Sequence, residues 1–155
     1  MLKGIDPLLT PELLKILAEM GHGDEIIIAD ANFTAKTLAQ GPHGAKPLVY
    51  LPGAGVERVA QAVLSLMALD AAVAQPVAFM KVCDTPEGYL SAQQRSVIAM
   101  LEREGYAQAG QCQPTERFTF YERVRGAQAI VLTGELQPYG NFLLKKGVIG
   151  EALVP

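Results

Sequence analysis

The run Glu25-Ile26-Ile27-Ile28-Ala29 constrains this chain more than any other stretch. Isoleucine is β-branched and favours strands, and three in succession put apolar surface on both faces of a pleated strand. Such a strand is buried on both sides, as in a sheet covered by helices. The residues before it are helical. Thr10 can cap, Pro11 suits the first helical position, and Glu12 favours the positive helix end. Leu13, Ile16, Leu17 and Met20 then fall at i, i+3, i+4 and i+7, and Gly21 supplies a stop.

The same alternation continues down the chain. Residues 40–47 read as a loop from their Gly and Pro content, and Leu48–Leu51 as a strand. Residues 56–69 read as a helix with Val59, Val63, Leu66 and Met67 on one side, and the Gly-rich GAGVERV stretch as the turn into it. A strand is expected over 77–83, a long helix over about 87–104, and three strands over about 115–121, 128–134 and 141–146. Strands alternating with helices define an α/β protein with a central, mostly buried sheet flanked by helices. No repeat or composition break divides the 155 residues, so residues 1–155 read as one domain, with 149–155 as a C-terminal extension.

Composition narrows the partners. Half the residues are hydrophobic and 19% are charged, below the usual ~25%, and mean hydropathy is +0.20. So few charges cover a monomer poorly, which implies oligomer interfaces. A net charge of −3 carries no basic footprint for nucleic acid. No apolar run reaches the ~18 residues of a membrane span, and Asp6, Pro7 and Pro11 interrupt any signal-peptide core. Cys83 and Cys112 are far apart and read as buried, reduced thiols, so the expected location is the cytoplasm.

Three stretches stand out chemically. His22 lies between two glycines, just past the negative end of the first helix. That position, with Asp24, Glu25 and Asp30 near in sequence, is expected to favour a charged ring, while the plain alternative is a solvated turn. Asp30 ends the isoleucine strand, where open α/β sheets gather ligands, or else caps the turn through Ala31 and Asn32. Arg117 reads as the start of an aromatic strand, Phe118-Thr119-Phe120-Tyr121, and Pro138-Tyr139-Gly140-Asn141 as a turn before an apolar strand. Lys145 and Lys146 read as a solvated strand end. There is no P-loop and no dinucleotide fingerprint. Zinc-type ligand spacing is absent, Cys83 reads as lacking a basic partner that would activate it as a nucleophile, and Ser91 and Ser96 fall in an expected helix with no nucleophile elbow.

Taken together, LLKILAEMGHGDEIIIADANF, RFTFYERV and AIVLTGELQPYGNFLLKKG resemble the RbsD/FucU family of sugar mutarotases, in order from about residue 1 to residue 148. The resemblance is close at both ends and loose from about 40 to 112. It implies an RbsD-like fold and an isomerase that interconverts anomers, and in part ring forms, of a free monosaccharide. It implies no metal and no organic cofactor. It also implies a ring-type homo-oligomer, typically a decamer, with sites near subunit contacts. His22 matches the family's general acid and Asp30 its sugar-binding aspartate. Tyr139, Gly140 and Asn141 match its Y-G-N sugar-binding segment, and Tyr121 is a further candidate. Arg117 stands where the fucose branch keeps arginine and the ribose branch has histidine, which points to L-fucose or a similar sugar. Thr34 departs from the proline common in the fucose branch, and the 40–55 loop and the tail also differ.

The chemistry suits these residues. Opening a hemiacetal delivers a proton to the ring oxygen and removes one from the anomeric hydroxyl, and reclosure on the other carbonyl face reverses both transfers. His22 can exchange the proton, with Asp30 holding the sugar or steadying the imidazole. Arg117, Tyr139 and Asn141 can contact hydroxyls, and Gly140 allows close backbone approach. The competing readings are a sugar-binding or regulatory oligomer without turnover, and a D-ribose pyranase-type activity.

Overall fold

The computed structural model describes residues 1–41 and 44–150. Helix α1 (Pro11–Glu19) begins as its sequence dictates, with Thr10 Oγ1 accepting the Leu13 N–H at 3.2 Å and Pro11 in the first turn. It is followed by β1 (Glu25–Ala29), α2 (Ala35–Leu38), β2 (Leu48–Leu51), α3 (Val56–Leu64), β3 (Val77–Met80) and α4 (Ala92–Arg103). A 3-10 turn at Ala109–Gln111 leads into β4 (Cys112–Thr115), α5 (Arg117–Gly126), β5 (Ala129–Thr133) and β6 (Phe142–Lys145).

The strands form one six-stranded sheet in the order β2-β5-β1-β6-β3-β4. Neighbours are parallel except β6, which runs antiparallel to both β1 and β3. Alternate residues of β1 serve two cores. Ile26 and Ile28 join Leu13, Val59 and Leu101 beneath α1, α3 and α4, while Ile27 and Ala29 join Leu38, Phe120 and Val124 beneath α2 and α5. The α/β class and the buried central sheet therefore hold, as three layers with the sheet in the middle.

The clearest difference from the sequence reading lies at 115–121. That segment is the end of β4 followed by the first half of α5. Phe118 and Phe120 alternate like strand residues, but Glu116 turns the chain into a helix: its Oε2 accepts the N–H groups of Phe118 at 2.9 Å and Thr119 at 3.0 Å. Those N–H groups hold the Glu116 carboxyl below its usual range. Phe120 and Val124, four apart, form the buried stripe, and Phe118 points to solvent. Arg117 is thus the first residue of a helix.

Other boundaries moved for local reasons. The expected 87–104 helix begins at Ala92, because Ser91 and Gln94 cap it reciprocally. The 56–69 helix stops at Leu64, leaving Leu66 exposed, and the 77–83 strand stops at Met80. Cys112 is buried, which pushes its thiol up to about 11, but Cys83 is exposed. Lys146 is a buried-end cap rather than a solvated residue: its Nζ donates to the carbonyls of Leu17, at 2.8 Å, and Met20, closing α1. Within the 40–55 loop, Pro42 and His43 lie outside the described residues, as do 151–155 of the C-terminal extension. Among the described residues, no helix is long and apolar enough to cross a membrane.

A strand would put Phe118 and Phe120 on one face, whereas the helix separates them. Phe120→Ala should cost about 3–5 kcal/mol of stability and Phe118→Ala within about 0.5 kcal/mol, measured by urea unfolding. Equal losses at the two positions would contradict the helix.

Candidate active site

The candidate residues fall at both ends of the β1–β6 pair. Ile28 pairs with Phe142, so Asp30, one residue past β1, comes beside Asn141, one residue before β6. The Asp30 N–H donates to Asn141 Oδ1 at 2.9 Å. The Asp30 carboxylate accepts the Asn32 N–H at 2.9 Å on one oxygen and the Gly140 N–H at 3.1 Å on the other. Asp30 is almost fully buried, and burial raises its pKa against the pull of these hydrogen bonds. Asp30 therefore caps the next turn and also lines a hollow.

The turn it anchors is tight. Tyr139 has φ of 63°, a left-handed conformation uncommon outside glycine. At Gly140 a Cβ would lie 3.1 Å from the Gln137 carbonyl oxygen and 3.3 Å from Gln93 Oε1, so a side chain would be crowded there.

The hollow beside this turn holds about 250 Å³. Drug-sized sites run ~300–1,000 Å³, so this one is scaled to a single small ring. Asp30, Arg117, Tyr121, Tyr139 and Asn141 supply its polar lining, with Asn32 and Thr34. Phe33, Met80 and Pro138 supply apolar walls. The Arg117 guanidinium lies 5.1 Å from the Phe118 ring centre and 5.6 Å from that of Tyr121. Cys83 is also nearby: it is the largest influence raising the Tyr139 phenol pKa, ahead of burial, and with Lys81 and Arg117 it lines an adjoining hollow. It therefore has two basic neighbours, Lys81 two residues before it and Arg117, which only the fold brings near. The lining mixes hydroxyl-binding groups with aromatic and apolar faces, which suits a polyhydroxylated ring.

His22 is not in this hollow. It sits in the turn before β1, and β1 runs at ~3.3 Å per residue, so its two ends are on the order of 15–20 Å apart. Asp30 cannot steady its imidazole. Asp70 does, with Oδ1 3.1 Å from His22 Nε2. A carboxylate only accepts, so Nε2 carries the proton in this pair and Nδ1 is left free to take or give one. His22 is half exposed while Asp70 is buried. The carboxylates near His22 in sequence are engaged elsewhere: Asp24 accepts the Gly21 N–H at 2.7 Å, and Glu25 pairs with Arg123 at 2.7 Å and Lys145 at 3.7 Å.

The far end of β6 builds this second cluster. Lys146 O accepts the Gly23 N–H at 2.8 Å, and Lys145 O accepts the Asp70 N–H at 3.0 Å. Gly147 N–H donates to Ala68 O at 2.8 Å, and a Cβ on Gly147 would stand 2.4 Å from Leu69 O. Only glycine lets the Asp70 segment approach. Sequence reasoning missed Asp70, which is 48 residues from His22 in a stretch without a motif. It also missed Phe33 and Met80, whose apolar character reads simply as core.

The protein is thus an α/β sheet with a small polar hollow at the carboxyl ends of its parallel strands, where such sheets gather ligands, and a carboxylate-held histidine at the opposite end. The model of the RbsD / FucU transport protein family matches residues 3–149, and the chain belongs to that family. The L-fucose mutarotase of Glaesserella parasuis serovar 5 is 41% identical over 148 residues, covering 96% of each chain. The fucose mutarotase of Homo sapiens is 42% identical over 151 residues, covering 96% of this chain and 94% of that one. The crystal structure of the fucose mutarotase of Streptococcus pneumoniae in complex with L-fucose superposes with a TM-score of 0.84 at 36% identity, covering 96% of this chain and all of the other. The named relatives are mutarotases, which are isomerases.

The Asp70 carboxyl is held below its usual range first by the Ala72 N–H and then by His22. A carboxyl with a lower pKa folded than unfolded stabilises the fold above the unfolded value, and that contribution fades as pH falls through the folded value. The stability gap between wild type and Asp70→Asn should be full at pH 7 and close below about pH 4, in denaturant melts across pH. A gap independent of pH would contradict the ionised pairing.

Proposed function

We propose that this protein is a monosaccharide mutarotase that exchanges the anomers of L-fucose, or of a sugar with a similar hydroxyl arrangement, by general acid–base ring opening. The observation that carries this reading is the pairing of a ring-sized polar hollow with a separate histidine whose free nitrogen is selected by Asp70. The named relatives support the reaction, and the Streptococcus pneumoniae complex supports the sugar.

Because the two clusters lie at opposite ends of β1, we place each working site between two copies: the hollow of one and His22 of the next. A head-to-tail contact of this kind closes into rings, consistent with a decamer. The sugar sits in the hollow with hydroxyls on Asp30, Arg117, Tyr139 and Asn141, and Tyr121 beside them. Arginine offers a fixed fork of donors, able to grip adjacent hydroxyls. Through Nδ1, His22 gives a proton to the ring oxygen as the bond from that oxygen to the anomeric carbon breaks. The anomeric hydroxyl gives its proton to solvent water at the open hollow, and its oxygen becomes the carbonyl. Rotation of the aldehyde and reclosure reverse both transfers and deliver the other anomer. The reaction needs no cofactor. The two free cysteines suit a reducing compartment, which supports a cytoplasmic location.

His22→Gln should keep the fold and lose about 10²–10⁴-fold in anomer exchange, measured by NMR saturation transfer on L-fucose with D-ribose alongside. Wild-type exchange in this variant would remove His22 from the mechanism. Faster exchange of D-ribose than of L-fucose by the wild type would move the assignment to a pyranase-type activity.

A further inference from the structure

The sugar hollow owes its shape to a residue outside it. We propose that Gln94, in the first turn of α4, is the positioning residue of this pocket and sets the place of Tyr139 relative to Met80. The inference rests on reading the hollow as the sugar site.

Gln94 is fully buried, and its side-chain amide is committed on every side. Its Oε1 accepts the Ser91 N–H at 3.0 Å. That fixes the amide orientation and aims both Nε2 hydrogens away from the cap, one to Met80 O at 2.8 Å and one to Tyr139 O at 3.1 Å. Those two carbonyls belong to two walls of the hollow, carried by β3 and by the turn before β6. A flip of the amide would break all three bonds at once.

Tyr139 needs such a hold. Its φ of 63° is a conformation that a non-glycine residue keeps only where its surroundings impose it. Gln94 fixes its carbonyl. The excursion from Met80 to Gln94 therefore holds Tyr139 by its carbonyl. Next to it, Gln93 Oε1 is buried with no hydrogen-bond partner among the described residues and lies against Gly140. The first turn of α4 thus supports two consecutive residues of the sugar-contacting turn.

The test separates positioning from stability. Gln94→Glu keeps the acceptor for Ser91 but loses the two amide donors, and Gln94→Met removes both functions without introducing a charge. Ser91→Ala weakens the cap while leaving the Gln94 donors in place. L-fucose exchange is measured by NMR over a range of sugar concentrations, with the folded fraction of each variant taken from circular dichroism. For the folded protein, either Gln94 variant should raise KM about ten-fold, as expected for losing buried hydrogen bonds, while Ser91→Ala leaves KM unchanged. The excess KM of Gln94→Glu should also shrink as pH falls and the carboxyl regains a donor, whereas that of Gln94→Met should not. Wild-type KM in whichever Gln94 variant folds, or the same change in Ser91→Ala, would overturn the proposal. Should neither Gln94 variant fold while Ser91→Ala does, Gln94 is a folding residue and the proposal likewise fails. Absence of exchange in the wild type would instead defeat the mutarotase reading itself.

Discussion

The antiparallel pairing of β1 with β6 is the constraint on which the rest depends. Its register sets Glu25 opposite Lys145 and Ile28 opposite Phe142. At one end it brings Asp30 against Asn141 and Gly140; at the other it brings the His22 turn and the Asp70 segment onto Lys145, Lys146 and Gly147. A slip by one residue would turn Ile26 and Ile28 toward the core that Ile27 and Ala29 fill, and would part Asp30 from Asn141, so the fit of two different packed cores locks the register. The same strand pair that builds each cluster also keeps the two apart.

Each cluster uses a buried carboxylate differently. Asp30 accepts two backbone N–H groups, one on each oxygen, which an asparagine could satisfy on one side only. Its burial raises its pKa against the pull of those hydrogen bonds. Asp70 has its pKa lowered by the donors around it and serves as a fixed acceptor for one imidazole nitrogen. One carboxylate thus faces the hollow and the other orients an imidazole, a difference set by their surroundings.

Local physics was readable from the chain alone; long-range placement was not. Thr10-Pro11-Glu12 and the Ile26–Ile28 run fixed α1 and β1 because capping and periodicity are nearest-neighbour properties. At 116–121 two local signals competed, Phe-Thr-Phe alternation against the Glu116 cap, and the cap with the Phe120–Val124 stripe decided the outcome. The antiparallel direction of β6 and the contact between Asp70 and His22 depend on residues dozens of positions apart, which no local pattern encodes. Asp30, Arg117, Tyr121, Tyr139 and Asn141 were singled out by motif and do share one hollow, with Gly140 directly behind it. His22 was singled out by the same means, yet its separation from them emerged only from the fold.

Complementation between two inactive variants tests the central claim, that each site combines one copy's hollow with another copy's histidine. Arg117→Glu spoils the hollow at an exposed helix start, and His22→Gln spoils the proton donor. If sites form between copies, an equal mixture co-assembled from the two should regain about a quarter of wild-type L-fucose exchange, since about one contact in four joins an intact hollow to an intact histidine. A mixture no more active than the average of its two parents would contradict a shared site.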